Sequence, residues 1–111
     1  MMAAKYRLRY FFDWSCLPLW SGNDAARDTF GYAIDLADLP LSDAIVTRVR
    51  EICDWHDTAL NQDYPSDPGP WDADECDRFN AASRTLLADL RSELGPDFDI
   101  IDEFKLQLPG V

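Results

Sequence analysis

Apolar residues recur at three- and four-residue steps along the stretch from residue 72 to residue 95. That spacing places one stripe on a helix, consisting of Cys76, Phe79, Ser83, Leu86, Leu87, Leu90 and Leu94. Asp72 is placed to cap its N-terminus, and Glu75 three residues later is placed to complete a capping box. Gly95 and Pro96 end the pattern. We therefore predict a long helix from Asp72 to Gly95.

Two other stretches alternate apolar and polar residues with a period of two, which is typical of strands with one buried face. The inward positions are Tyr6, Leu8, Tyr10, Phe12 and Trp14 in residues 5–14, and Phe98, Ile100, Asp102, Phe104, Leu106 and Leu108 in residues 97–108. The outward positions are mainly basic in the first stretch and mainly acidic in the second. Opposite charges facing each other contribute roughly 0.2 to 1 kcal/mol per pair, so we expect the two strands to be neighbours.

A short helix is predicted after the first strand. Ser21 is expected to cap it, Asp24 to complete a capping box, and Gly31 to end it. Residues 32–36 alternate again and fit either a short edge strand or an extended connector. We favour the connector because Pro40 follows soon after.

A second long helix is predicted from Ser42 to about Asn61, followed by a loop over residues 61–70 that contains three prolines. Residues 1–111 are therefore expected to form a single α+β domain. Its architecture would be a small sheet of two or three strands, with the first and last strands adjacent. Two long helices would pack on one face of this sheet, together with one short helix.

The charge of the chain limits the classes of partner. The formal net charge is −11, and residues 61–77 hold six acids and no Lys or Arg. Such charge opposes binding to nucleic acid or to anionic membranes and favours a basic protein partner. No apolar run approaches the roughly 18 residues of a membrane span. Lys5, Arg7 and Arg9 stand where a signal peptide would have its apolar core, so we expect a cytoplasmic protein.

Residues that could carry chemistry are few. His56 is the only histidine and lies on the apolar stripe of the second long helix. Asp57 is expected to point about 100° away around that helix and so not to orient the ring as a general base. Cys16, Cys53 and Cys76 form no CxxC pair and are interpreted as reduced core thiols. The acids match no known metal-binding loop, so we expect no metal, no cofactor and no enzymatic activity.

Acidic and aromatic residues are interleaved over residues 55–79, a composition typical of a surface that binds a basic, partly apolar partner. The predicted partner-binding residues are Asp54, Asp57, Asp63, Tyr64, Asp67, Trp71, Asp74 and Asp77. The competing interpretation is a solvated acidic surface over aromatic residues that belong to the core. Trp71 in particular is also placed to pack on Cys76 at the start of its helix.

Three segments carry a family resemblance over about residues 20–101: FGYAIDLADLPLS, WHDTALNQDYPSDPGPW and LRSELGPDFDI. They resemble small acidic bacterial cytosolic proteins, many of them encoded beside secreted polymorphic toxins and regarded as their immunity proteins. The resemblance implies a class of function and transfers no catalytic residues. The predicted function is therefore an immunity-type protein that binds and neutralises a basic cognate toxin, with a nuclease as the favoured class.

Two interpretations from other classes stay open. A nucleic-acid mimic would block a DNA-binding protein through carboxylates placed like phosphates. A housekeeping interaction domain would use its acids only for solubility. A neighbouring gene that encodes a toxin would favour the immunity function over both. The sequence pattern specifies no oligomeric state.

Overall fold

The computed structural model describes residues 4–14, 16–59 and 69–109. Its elements in chain order are strand β1 (Tyr6–Tyr10), strand β2 (Leu19–Ser21), helix α1 (Asp24–Phe30), a 3-10 helix (Leu36–Asp38), helix α2 (Asp43–Asp57), helix α3 (Ala73–Leu94) and strand β3 (Phe98–Asp102). The described part of the chain is thus an α+β fold with a three-stranded sheet, which confirms the predicted class.

The sheet has the order β2-β1-β3, with β1 antiparallel to β2 and parallel to β3. The prediction that the first and last strands are neighbours is confirmed. Arg7 lies opposite Asp99 in the register, and their side chains approach to 3.7 Å. Arg9 donates two hydrogen bonds, of 2.6 and 2.8 Å, to the carboxylate of Glu103. Basic and acidic side chains therefore meet across the two strands.

Both of these strands are shorter than predicted. The last backbone hydrogen bond between them runs from the Glu103 N–H to the Tyr10 carbonyl, and β1 ends at Tyr10. Beyond it, the Asp13 carboxylate accepts a hydrogen bond from the next N–H, and the chain turns. Trp14 is consequently 38% exposed instead of buried. On the other side, Leu106 and Leu108 follow the end of β3 and are more than half exposed.

The N-terminus of α1 differs from the prediction. Its cap is Asn23, whose side chain accepts a hydrogen bond from the backbone of the first turn, and not Ser21. Ser21 instead ends strand β2, and its hydroxyl donates a hydrogen bond to the Gly31 carbonyl. A strand of three residues is too short to show an alternating pattern, and its three residues are all buried. The sequence therefore suggested a helix start where the structure has a strand.

Residues 32–36 form the connector that the sequence favoured over an edge strand. Ala33 makes one isolated bridge with Trp20, and Leu36 then begins the 3-10 helix. The bridge covers part of the outer edge of β2. That edge strand is thereby shielded from pairing with another chain.

Helix α2 begins as predicted, with Ser42 as its N-cap. It ends at Asp57 instead of near Asn61, because Thr58 forms its C-cap. The Thr58 hydroxyl also donates a hydrogen bond of 2.7 Å to the carbonyl of Trp55. A side chain that bonds to the backbone in this way competes with continued helix formation.

Helix α3 follows the prediction closely. Asp72 caps it by accepting a hydrogen bond of 2.8 Å from the Glu75 N–H. The Glu75 side chain does not complete the capping box, because it accepts a hydrogen bond from the indole of Trp55 instead. Gly95 ends the helix with φ of 78°. The whole predicted stripe is buried: Cys76, Phe79, Ser83, Leu86, Leu87, Leu90 and Leu94.

The two long helices are antiparallel and contribute to one core with the sheet. Glu93, near the C-terminus of α3, accepts hydrogen bonds from the backbone N–H and the hydroxyl of Ser42 at the start of α2. Tyr10 of β1 is fully buried, and its hydroxyl lies 2.9 Å from both the carbonyl oxygen and Oγ of Ser83 on α3. Within the described ranges, no helix combines the length and the apolar character needed to cross a membrane.

Candidate partner-binding site

Two tryptophans fasten the C-terminal end of α2 to the N-terminal end of α3. The Trp55 indole N–H donates a hydrogen bond of 3.0 Å to a Glu75 carboxylate oxygen. The Trp71 indole N–H donates one of 2.9 Å to Thr58 Oγ1. The centroids of the two aromatic rings lie 5.8 Å apart. Side-chain contacts therefore hold the two helix ends in a fixed relative position.

This junction carries a concentration of negative charge. We define the acidic end as residues 51–59 together with residues 69–78, which contain seven acids and, among Lys and Arg, only Arg78. The acids are Glu51, Asp54, Asp57, Asp72, Asp74, Glu75 and Asp77. Because the two segments belong to different helices, the fold unites charges that are separate in the sequence.

Four of the predicted partner-binding acids belong to the acidic end. Asp54 and Asp77 are exposed. Asp74 is also exposed and forms an ion pair of 3.0 Å with Arg78, one helical turn further on. Asp57 is half-buried, and its Oδ1 lies 3.8 Å from Nδ1 of His56. The structure thus offers carboxylates of this group to solvent on a rigid helical support.

Trp71 occupies a different place from the other predicted residues. It is only 5% exposed and packs against Phe79, with the ring centroids 5.1 Å apart. Trp71 therefore belongs to the core that supports the acidic end and not to its exposed surface. The remaining predicted residues lie outside the described residues, in the segment that the sequence inserts between Ala59 and Gly69: Asp63, Tyr64 and Asp67.

His56 is buried in a cluster of aromatic rings, with 3% of its surface exposed. Its ring centroid lies 4.4 Å from that of Trp14, 5.1 Å from that of Phe12 and 5.7 Å from that of Phe79. Burial lowers the pKa of His56 below its ordinary value. Asp57 comes closer than the helical spacing suggested, but its Oδ1 is 3.8 Å from His56 Nδ1, beyond hydrogen-bond length.

The described cysteines suit packing better than chemistry. Cys53 and Cys76 are buried, Cys16 is partly exposed, and all three are free thiols. Burial raises the pKa of Cys53 to about 12, so its reactive thiolate form is scarce at neutral pH. Across residues 4–14, 16–59 and 69–109, no group of three or more His, Cys, Asp or Glu residues is arranged to hold a metal ion.

A cleft that the sequence did not reveal opens at the C-terminal ends of β1 and β3. We call it the aromatic cleft; its volume is about 380 Å³. Its aromatic lining consists of Phe11, Phe12, Trp14, His56 and Phe104. Charged residues also line it: Arg9, Asp13, Glu103 and Lys105. Of the aromatic residues only Trp14 is exposed, while Phe11, Phe12 and Phe104 are half-buried and His56 is buried. Aromatic residues at a surface are enriched in protein interfaces.

The cleft was missed because it depends on where the strands end. The alternating pattern placed Trp14 and Phe104 on one buried face of a long sheet. In the structure both residues lie beyond the paired strands and line the cleft. Asp13, a residue type common in turns, was the signal in the sequence that could have marked the end of β1.

A family model described as Serratia CdiI immunity protein-like matches residues 6–102. The chain belongs to this family, and the resemblance to immunity proteins is confirmed. Among curated proteins, none matches the chain.

The matched range begins at the first residue of β1 and ends at the last residue of β3. It includes the entire acidic end and also Trp14 and His56. Glu103, Phe104 and Lys105 follow it directly. One side of the aromatic cleft is thus formed by residues beyond the range that the family model matches.

Proposed function

We propose that this chain neutralises a basic cognate toxin by binding it through the acidic end. The main observation behind this proposal is the excess of acids over basic residues where α2 and α3 come together: seven acids and one arginine. Hydrogen bonds from Trp55 and Trp71 hold the two helix ends in place there. Membership of an immunity-protein family supports the toxin-neutralising role. The acidic end supports the basic character of the partner, because opposite charges attract across an interface.

The rest of the molecule adds to the difference in charge between this chain and a basic partner. Acids outnumber Lys and Arg by 21 to 10 in the chain. Side-chain ion pairs engage five of the arginines: Arg7, Arg9, Arg27, Arg48 and Arg78. The net negative charge of the chain would therefore attract a basic toxin at long range, and the acidic end would orient it. Steering of this kind raises association rates by roughly 10-fold to 1,000-fold and weakens with salt.

A nuclease is the class of toxin that this surface fits best. Such an enzyme must present basic residues to the phosphates of its substrate, because phosphate contacts supply much of the affinity for nucleic acid. Carboxylates on a rigid helical surface can occupy those basic residues. Inhibition then consists of covering the active site, and the immunity protein itself needs no catalysis. The same charge disfavours binding of this chain to nucleic acid or to anionic lipid.

A growth-protection experiment tests the proposal. Where a gene beside this one encodes a toxin domain, bacteria expressing that domain should survive when they also express the wild-type chain. The variant that replaces Asp54, Asp74 and Asp77 with Asn should protect less at equal protein level. A matched control replaces the exposed residues Asp28, Asp38 and Asp97 with Asn, which changes the net charge equally but leaves the acidic end intact.

The control variant should protect as well as the wild-type chain. Equal loss of protection in the two triple variants would mean that total charge matters and the acidic end does not. Wild-type chain that gives no protection from the neighbouring toxin would contradict the immunity function itself. If Asp63, Tyr64 and Asp67 belong to the same surface, replacing both acids with Asn and Tyr64 with Ala in addition should reduce protection further.

A further inference from the structure

We propose that the aromatic cleft is an anchor site for an arginine side chain of the toxin. This inference rests on the proposed function and specifies how the toxin is held once charge has brought it to the acidic end. The site consists of the face of Trp14, the rings of Phe12 and Phe104, and the carboxylate of Asp13. A guanidinium group stacks on the rings and pairs with the carboxylate.

The position of the cleft is the first argument. His56 belongs to the last turns of α2, within the acidic end, and also lines the cleft. On the other side, Gln107 lines the cleft and its backbone N–H donates a hydrogen bond of 2.9 Å to Asn80, near the start of α3. The cleft therefore lies beside the acidic end. A partner that covers one reaches the other.

The rigidity of Trp14 is the second argument. Its indole is 38% exposed although His56 is stacked on it with the ring centroids 4.4 Å apart. Its backbone N–H also donates a hydrogen bond of 2.8 Å to the Asp13 carboxylate. An exposed tryptophan that is already held in place loses little conformational freedom on binding. Tryptophan is also the residue type most enriched among the energetic centres of interfaces.

Charge is the third argument. The negative charges of Asp57 and Asp13 act on His56 and partly offset the lowering of its pKa by burial. Arg9 is engaged in its two hydrogen bonds to Glu103, so these two charges compensate each other. Asp13 is the other negative charge in the lining of the cleft, and the carboxylate of Asp57 lies 3.8 Å from the His56 ring. Lys105, which is exposed, is the other positive charge in the lining and opposes these carboxylates.

The chemistry of arginine fits these features together. Its planar guanidinium stacks on aromatic faces, most favourably on tryptophan, and donates paired hydrogen bonds to a carboxylate. A lysine ammonium provides only a strongly hydrated point charge. A volume of about 380 Å³ accommodates one long side chain. A basic toxin supplies arginines, whereas an acidic side chain would meet Asp13 and the acidic end.

Three variants with opposite expected effects test the proposal in a binding assay with the purified toxin domain. Trp14→Ala should weaken binding about 30-fold, as for an interface residue worth about 2 kcal/mol. Asp13→Asn should weaken binding about 5-fold, since one carboxylate is lost. Lys105→Gln should tighten binding about 3-fold, because it removes the opposing charge. Asp28→Asn, on α1 at the other end of β1, is the control and should leave binding unchanged.

Trp14→Phe is the conservative partner of Trp14→Ala. It retains a ring that can stack and should recover most of the lost affinity. Thermal unfolding of each variant shows whether a loss of binding comes from a loss of folding. The Asp13 and Lys105 variants keep the aromatic lining, so they test the occupant even if Trp14→Ala unfolds.

The single histidine provides an independent readout by NMR. Selective labelling of His56 gives one imidazole signal in the complex, because the toxin domain is left unlabelled. A guanidinium in the cleft should shift that signal and lower the pKa of His56 further, since a nearby cation disfavours its protonation. An unchanged His56 signal and pKa in the saturated complex would contradict the proposal.

The outcomes separate this inference from the proposed function. If the wild-type chain does not bind the toxin domain, both fail. If it binds and the Trp14 and Asp13 variants bind within twofold of it, the cleft is not an anchor and only the inference fails. If Trp14→Ala weakens binding but Asp13→Asn and Lys105→Gln both leave it unchanged, the occupant is an apolar side chain, and the arginine assignment is wrong. Loss with Trp14→Ala and Asp13→Asn, gain with Lys105→Gln and a lowered His56 pKa support it.

Discussion

Mild acid should destabilise this protein through one residue, His56. The imidazole is 3% exposed and packed against the rings of Trp14, Phe12 and Phe79, and burial lowers its pKa from the ordinary value of 6.5. In the unfolded chain the same group titrates near its ordinary value. Below that value His56 is protonated in the unfolded state while it is still largely neutral in the folded state. Protonation therefore makes unfolding more favourable.

The sign and size of the effect follow directly. The contribution of neutral His56 is fully present above the unfolded pKa of about 6.5 and is lost as the pH falls toward the lower folded pKa. Each pH unit in that window removes up to about 1.4 kcal/mol from the free energy of unfolding. Between pH 7.5 and pH 5.5, a His56 that stays neutral while folded would thus account for about 1.4 kcal/mol in total.

Urea denaturation followed by tryptophan fluorescence at several pH values measures this change. His56→Gln is the control, because it removes the titrating group and should remove the pH dependence in this interval. The variant should also lower the free energy of unfolding at pH 7.5 by about 2 kcal/mol, since it loses ring packing in a buried site. Equal pH dependence in the wild-type chain and the variant would show that His56 is not the group responsible, and the reasoning would be wrong.

Two further predictions concern the core and the end of α3. Tyr10→Phe removes the hydroxyl that bonds to Ser83, so it should lower the free energy of unfolding by about 1 to 2 kcal/mol; an unchanged urea midpoint would mean that the bond contributes nothing. Gly95 has φ of 78° and ψ of −167°, a region that only glycine enters readily. Gly95→Ala should therefore destabilise the fold by about 1 to 3 kcal/mol, and a melting temperature equal to that of the wild-type chain would contradict the assigned conformation.

The features that the sequence predicted well are those written into local spacing. Helix α3 has a capping residue at Asp72, an uninterrupted stripe and a terminating Gly95, so both of its ends could be read. The adjacency of β1 and β3 was predicted from charge. Basic side chains of β1 and acidic side chains of β3, or of the residue after it, lie on the same face of the sheet. Arg7 therefore faces Asp99 in the register, and Arg9 reaches Glu103.

The features that were missed depend on contacts distant in the sequence. Strand β2 is only three residues long, so its pairing with β1 left no periodic signal. The alternation of residues continues past Tyr10 and Asp102, but the ladder of hydrogen bonds does not. Strand ends are set by the partner strand as well as by the residues of the strand itself. The pattern alone therefore overestimated both lengths.

The candidate site divides in the same way. The concentration of acidic residues was visible in the sequence, and the structure shows that the ends of α2 and α3 bring these residues together. Trp71 was ambiguous from the start, since its position suited either packing or contact with a partner, and it is buried. The aromatic cleft was not predicted, because Trp14 and Phe104 come from opposite ends of the chain and line the same cleft only once the chain is folded.

The rate of association with the neighbouring toxin domain, measured from low to high salt, tests the central claim most directly. The wild-type chain should associate rapidly at low salt and slow steeply as salt screens its charge. The variant with Asn at positions 54, 74 and 77 should associate on the order of tenfold more slowly at low salt and depend less on salt. The control with Asn at positions 28, 38 and 97 should stay close to the wild-type chain. Identical rates and salt slopes for the wild-type chain and the variant altered at the acidic end would contradict the claim that the toxin binds there.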